Sequence, residues 1–250
     1  MKILLFGATG MVGEGVLRWL IASPKVSGVV TVSRKPLAVQ HPKLEAVIEI
    51  DMFHLQHVST LRDLDACFFC LGASSVGMSP GSYRRLTYDL TVAVARQILP
   101  GNPRMVFEYI SGEGTDPKSR QRWAQVKAET ETALLSMGFR DAYALRPGFI
   151  QPMRGVTSRV RSVRWLYALT QPMYPFLQKR FRRFVTSTDL LAAAMLQLAL
   201  AGSPKKTLNT SELNGIAKTG SGHAVTTTLA NRKLRHSRPS LGTAGQLLSV

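Results

Sequence analysis

Three glycines at fixed spacing, Gly7-Ala8-Thr9-Gly10-Met11-Val12-Gly13, join an apolar run at Lys2 to Phe6 to an amphipathic one at Val12 to Ala22. This is the chemistry of a phosphate cradle. A strand that turns directly into a helix leaves the first backbone N–H groups of the helix without intrahelical partners, and an anion can take them. Gly7 permits the tight turn, Gly10 lets a diphosphate approach the backbone, and Gly13 lets helix and strand pack closely. Thr9, Met11 and Val12 complete the loop. A glycine pattern by itself is weak; its position between a strand and a helix makes it specific.

The second candidate follows the next apolar run, Gly28 to Val32, in Thr31-Val32-Ser33-Arg34-Lys35. A dinucleotide site for NAD(H) usually places an acidic residue here to hold both ribose hydroxyls. An acid would repel a 2′-phosphate. Arg34 instead offers a charge-assisted fork, Ser33 a hydroxyl and Lys35 a further charge. NADP(H) is therefore expected in preference to NAD(H).

Around these candidates, short apolar runs alternate with helical periodicity. Strands are expected at Lys2 to Phe6, Gly28 to Val32, Ala46 to Ile50, Ala66 to Leu71, Met105 to Ile110 and Ala142 to Leu145. Helices are expected at Val12 to Ala22, Ser82 to Leu99, Arg120 to Met137 and Ser187 to Ala201, the last opened by a capping Ser187-Thr188-Asp189. Alternation of this kind implies the α/β class, a doubly wound parallel sheet of the Rossmann type with helices on both faces. Residues 1–217 then form one nucleotide-binding domain, with a small C-terminal substrate or insertion lobe at about 150–186, and 218–250 reads as a disordered basic tail.

The totals narrow the partners. Of 250 residues 32 are Lys or Arg and only 15 are Asp or Glu, giving a net charge of +17. Such a surface attracts anions, but charge does not choose between a phosphorylated cofactor, an anionic membrane and nucleic acid. The excess is concentrated: eight basic residues and no acid lie between Arg154 and Arg183, and five basic residues and no acid between Lys218 and Val250. Cys67 and Cys70 lie in a buried apolar run that points them to opposite faces, so they read as packed thiols. The histidines His41, His54, His57, His223 and His236 show no metal-ligand spacing, and no metal is expected. No secretory leader and no eighteen-residue apolar stretch occur, which points to the cytoplasm with membrane association left open.

On these residues the chain resembles the short-chain dehydrogenase/reductase superfamily in its extended or atypical branch, close to epimerase-like and Tat-interacting-protein-like oxidoreductases. The likeness runs from about Lys2 to Ala217. It implies that Gly7, Gly10 and Gly13 form the glycine loop, that Asp51-Met52 brackets the adenine, and that Leu71-Gly72-Ala73 passes under the adenine ribose. It further implies a catalytic serine at Ser111 and a segment beside the nicotinamide at Arg146-Pro147-Gly148. The family's Tyr-x-x-x-Lys pair appears here as Trp123-Ala124-Gln125-Val126-Lys127. Lys127 retains the family's task of holding the nicotinamide ribose. Trp123 departs from the pattern: an indole N–H donates a hydrogen bond but is no usable acid near neutral pH. Tyr109, Tyr83 and Tyr88 are other phenols near the site, while Glu113 and Asp116 read as turn or cap residues.

Two functions stay open. One is an NADP(H)-dependent atypical oxidoreductase, related to epimerases, that moves a hydride between the nicotinamide and a carbonyl or alcohol of a small or lipid-like substrate, assisted by Ser111 and Lys127. The other is a non-catalytic NADP(H)-sensing or interaction protein, which Trp123 favours. The segment 154–183 interleaves arginines with Trp165, Tyr167, Tyr174 and Phe176. It suits a pocket wall that packs on the body or a peripheral membrane contact. No specific nucleic acid is expected, because no recognised motif accompanies the charge.

Overall fold

The first strand, β1 (Lys2–Phe6), is buried at four of its five positions and runs into helix α1 (Met11–Ala22) through the glycine loop. Residues 1–153 and 184–219 are described by the computed structural model. The α1 helix buries Val16, Leu17 and Leu20, residues spaced to share one helical face, and stops where Ser23 adopts an extended conformation before Pro24.

The chain continues through β2 (Gly28–Ser33), β3 (Leu44–Ile48) and β4 (Ala66–Phe69) to a long irregular helix. That helix is α2 (Pro80–Arg84) and α3 (Leu90–Ile98), joined without a break by a π-helical turn at Arg85–Asp89. Then come β5 (Val106–Ile110), α4 (Arg122–Leu135), β6 (Asp141–Arg146) and β7 (Phe149–Gln151). Residues 154–183, which carry the expected lobe, lie outside the described residues. The description resumes with β8 (Val185–Ser187), α5 (Thr188–Ala201), β9 (Thr207–Asn209) and a final helix, α6, over 210–219.

Seven strands form one sheet in the order β3-β2-β1-β4-β5-β6-β9, with every neighbouring pair parallel. The order reverses direction between β1 and β4, the topological switch point at which doubly wound sheets bind ligands. The fold is thus the expected α/β one. One face packs on α1, α5 and α6 around Ile3, Leu5, Phe68, Val106 and Leu145. The other packs on α3 and α4 around Leu4, Phe6, Phe69, Phe107 and Tyr109. The near-continuous buried apolar runs of β1 and β4 follow from this double cover.

Several expectations need correction. The third strand begins earlier than expected and ends at Ile48, and Ile50 stands 85% exposed beyond it, because β3 is an edge strand with one neighbour. The two-stranded parallel sheet of β7 and β8 was not foreseen; at three residues a strand, its pairing depends on segments far apart in sequence. The seventh strand, β9, was missed for the same reason. The helix over 210–219 carries past residue 217, where the domain was expected to end. Residues 220–250 lie outside the described residues.

The capping expectation holds: the Ser187 hydroxyl accepts from the Leu190 N–H at 3.2 Å. The thiols are also placed as expected. Cys67 is wholly buried on one face, Cys70 packs partly buried against the other, and burial raises the pKa of both.

Candidate functional site

Because the strands are parallel, the residues that follow each one collect at a single edge of the sheet. Gly7 after β1, Ser33 at the end of β2, Cys70 after β4, Ser111 after β5 and Pro147 after β6 share it. At the switch point the backbone is crowded. Gly7 has φ +84°, and a Cβ there would lie 2.6 Å from the Cys70 carbonyl carbon. At Gly13 a Cβ would lie 2.1 Å from the Gly7 oxygen, so only glycine lets α1 approach this loop. At Gly10 the nearest atom would be 3.4 Å away, leaving the backbone open to an approaching group. No side chain caps α1 at Gly10, so its first N–H groups keep their capacity for an anion.

A cleft of about 490 Å³ opens over this loop, lined by Gly7, Thr9, Val32, Ser33, Arg34, Lys35, Pro36, Met52 and Leu71. A second, of about 300 Å³, adjoins it and shares Arg34, Met52 and Leu71. Asp51, Gly72, Ala73, Phe53, Ile50, Leu86 and Leu90 complete the second lining. The structure therefore brings together the expected Gly7, Thr9, Ser33, Arg34, Asp51, Met52, Leu71 and Gly72. Gly10, Met11, Val12 and Gly13 are in the loop and the helix start that follow Thr9.

Two of these side chains are already engaged. The Ser33 hydroxyl donates to the Lys35 carbonyl at 2.7 Å, so Ser33 holds its own turn and the basic pair carries the charge of the cleft. The Asp51 carboxylate accepts the Phe53 N–H at 2.8 Å and pairs with the His54 ring at 2.9 Å. The His54 ring, with the Phe53 N–H, holds the Asp51 carboxyl below its ordinary range.

Ser111, Trp123, Lys127 and Pro147 lie outside both linings, farther along the same edge. The ends of β5 and β6 are tied there: the Ser111 N–H donates to the Leu145 carbonyl at 2.7 Å and the Glu113 N–H to the Pro147 carbonyl at 3.1 Å. Ser111 is buried, with its hydroxyl 3.1 Å from that of Thr115, which itself donates to the Gly112 carbonyl at 2.8 Å. Lys127 reaches back from α4 and donates from Nζ to the Ser111 carbonyl at 3.1 Å and the Ile110 carbonyl at 3.4 Å. Burial lowers its pKa from 10.5 to about 8, against the pull of Glu131.

Trp123 donates its indole N–H to the Gln121 side chain. The far edge of its ring lies beside Gly114, 3.4 Å from where a Cβ would stand. Among the described residues, the expected phenols do not replace the missing tyrosine. Tyr109 is 2% exposed in the core, and burial raises its pKa well above 10.0. Tyr83 is buried, and Tyr88 lies under the Arg84 guanidinium. Asp116 accepts the Lys118 N–H at 2.9 Å, as a turn residue does.

Some residues of the site were not foreseen. Glu131 holds Arg146 by two bonds, from Nε at 2.9 Å and from Nη2 at 2.6 Å. The spacing of Lys127 and Glu131, four apart on one helix, was a legible signal for their sharing a face. Thr115, Phe53, Leu86 and Leu90 had no comparable signal, since they come from loops and from an irregular helix.

No protein-family model matches the chain. Curated relatives do. The mitochondrial protein fmp52 of Emericella nidulans is 30% identical over 175 residues, 67% of this chain and 74% of that protein. The mitochondrial protein fmp52 of Aspergillus clavatus is 27% identical over 207 residues, 80% of this chain and 87% of that protein. Among solved structures, a short chain dehydrogenase from Burkholderia cenocepacia in complex with NADP superposes with a TM-score of 0.60 at 16% identity. The superposition covers 93% of this chain and 97% of that one. The Bordetella bronchiseptica enzyme WbmF in complex with NAD+ gives 0.59 at 14% identity, over 88% of this chain and 77% of that one. The fold is that of the NAD-binding dehydrogenases and epimerases of the short-chain type.

These relatives overturn the cytoplasmic expectation, since both fmp52 proteins are named as mitochondrial. The expectation rested on the lack of a secretory leader and of a long apolar stretch. Neither feature separates cytoplasm from mitochondrion.

Proposed function

We propose that this chain, which belongs to the fmp52 protein family, is a mitochondrial NADP(H)-binding oxidoreductase of the atypical short-chain type. The observation that carries the reading is the 490 Å³ cleft, with the glycine loop at one end and Arg34 and Lys35 at the other. The residues fit the cofactor: Gly7 and Gly13 admit no side chain, and the start of α1 is uncapped. The fold neighbour complexed with NADP supports a nicotinamide dinucleotide of either kind.

In this reading the loop from Gly7 to Gly13, with Thr9, Met11 and Val12, binds the diphosphate through backbone N–H groups. Arg34 and Lys35 bind the 2′-phosphate, and Ser33 shapes their turn. Asp51, Met52, Leu71 and Gly72 flank the adenine, while Lys127 and Pro147 hold the nicotinamide end. The bound cofactor supplies or accepts a hydride at a carbonyl or alcohol carbon. Ser111 and Lys127 orient the substrate oxygen, and the Trp123 ring lies beside the exposed loop at Gly114.

Stability measured with each nucleotide tests the cofactor. At a hundred times its dissociation constant a ligand adds about 2.7 kcal/mol. At equal concentrations NADPH should raise the melting temperature more than NADH, and Arg34→Ser should remove the difference. Equal shifts in the native protein overturn the preference.

A second reading, an NADP(H)-sensing protein without turnover, is favoured by the engaged indole of Trp123. Comparing the native protein with Trp123→Tyr on a panel of aldehydes and ketones separates the two. Reduction appearing only in the variant supports the sensor.

A further inference from the structure

We propose that Lys127 itself exchanges the proton with the substrate oxygen, in place of an aromatic hydroxyl. The inference rests on the oxidoreductase reading and names the group that completes its chemistry.

Among the described residues, the side chains near the ends of β5 and β6 leave few donors. Thr115 gives its proton to the Gly112 carbonyl, which turns the Ser111 proton inward to Thr115 at 3.1 Å. The Trp123 N–H is held by Gln121, and indole does not release it near neutral pH. Tyr109 and Tyr83 are buried, with pKa values raised by burial. Asp116 is engaged by its own turn.

Lys127 differs in geometry. An ammonium carries three donors. Two point to the carbonyls of Ile110 and Ser111, and the third has no hydrogen-bond acceptor among the described residues. The stem runs alongside Gly112, where a Cβ would stand 3.9 Å from Cε. The carbonyls thus tether the nitrogen at the strand end that carries Ser111. Among the described residues, the groups facing it are Glu131 from its own helix and the Tyr109 ring from β5, centred 5.3 Å from Nζ. Burial brings its pKa to about 8, where the ammonium is acidic enough to give a proton and the amine basic enough to take one.

In the reducing direction the substrate carbonyl carbon gains a hydride from the reduced nicotinamide dinucleotide, which leaves oxidised. The electron pair of the C=O π bond forms the new O–H bond with a proton from the Lys127 ammonium. One N–H bond breaks, a neutral amine remains, and solvent returns the proton.

The test compares native protein, Lys127→Arg and Lys127→Met, with benzaldehyde and cyclohexanone as probes and NADPH as reductant. Arginine keeps the charge and the donors but does not release a proton. Lys127→Arg should therefore keep the NADPH-induced rise in melting temperature while kcat falls about a hundredfold to ten-thousandfold. Lys127→Met should lose the turnover and lessen the rise. A second readout needs no turnover: after reductive methylation with labelled formaldehyde, the carbon resonance absent from Lys127→Arg should titrate near 8. Native turnover that survives in Lys127→Arg, or a resonance titrating with the ordinary lysines, overturns the assignment to Lys127 alone. A native protein that NADPH stabilises but that reduces neither probe overturns the oxidoreductase reading, and this inference with it.

Discussion

Glu108 carries a carboxyl into the middle of the sheet, wholly buried, and neither of its oxygens has a hydrogen-bond partner among the described residues. Burial, with the Asp141 carboxylate, raises its pKa well above 4.5. A group whose pKa is raised in the folded state stabilises fully only below its unfolded value, and that contribution is lost as pH rises toward the folded one. Glu108→Met should therefore stabilise the protein by about 1–3 kcal/mol at neutral pH, because an apolar group of similar shape removes an unsatisfied one. The gain in urea unfolding should be smaller at pH 4.5 and grow as pH rises. A gain independent of pH argues against a raised Glu108 pKa. The same scale shows a contrast at Glu131, whose side chain is 5% exposed but doubly bonded to Arg146. Glu131→Ala should cost about 3–5 kcal/mol, since it strands a partly buried guanidinium; a cost near zero in the same assay contradicts this.

At the scale of elements, α1 and α5 must lie close for the glycine loop to sit where it does. A Cβ on Gly15 would stand 2.5 Å from Thr188 Cβ, so the two helices meet at a glycine. The start of α5 is set in turn by Ser187, which ends β8 and caps the helix. Ser187→Ala should cost about 1 kcal/mol in chemical denaturation; an unchanged midpoint shows that the cap contributes nothing. The glycine spacing, the capping serine and the alternation of strand and helix were legible because each is a local pattern. The π-helical turn at Arg85–Asp89 was not, though it lies beside Leu86 and Leu90 at the second cleft. Helix propensity does not distinguish an α from a π turn, so no local signal marks it.

Across the whole molecule the basic excess meets the cleft at Arg34 and Lys35, both solvent-exposed. Exposed charges are screened within about 8 Å at physiological salt. Raising salt from about 50 mM to about 500 mM should weaken NADPH binding more than NADH binding in a calorimetric titration. Equal weakening removes the basic pair from the recognition of the 2′-phosphate.

The sequence by itself determined the α/β class, the glycine loop, the basic end of the second strand and the indole at position 123, since each is written in neighbouring residues. Tertiary structure alone decided the strand order, the addition of β9 at the sheet's far edge and the pairing of β7 with β8, all contacts between distant segments. It also decided the chemistry of the site. The Ser33 hydroxyl is engaged by Lys35, Trp123 is tied to Gln121, and Lys127 is drawn under the Ser111 carbonyl. A side chain's proton affinity depends on what surrounds it, and those surroundings exist only once the sheet has brought β5, β6 and α4 together.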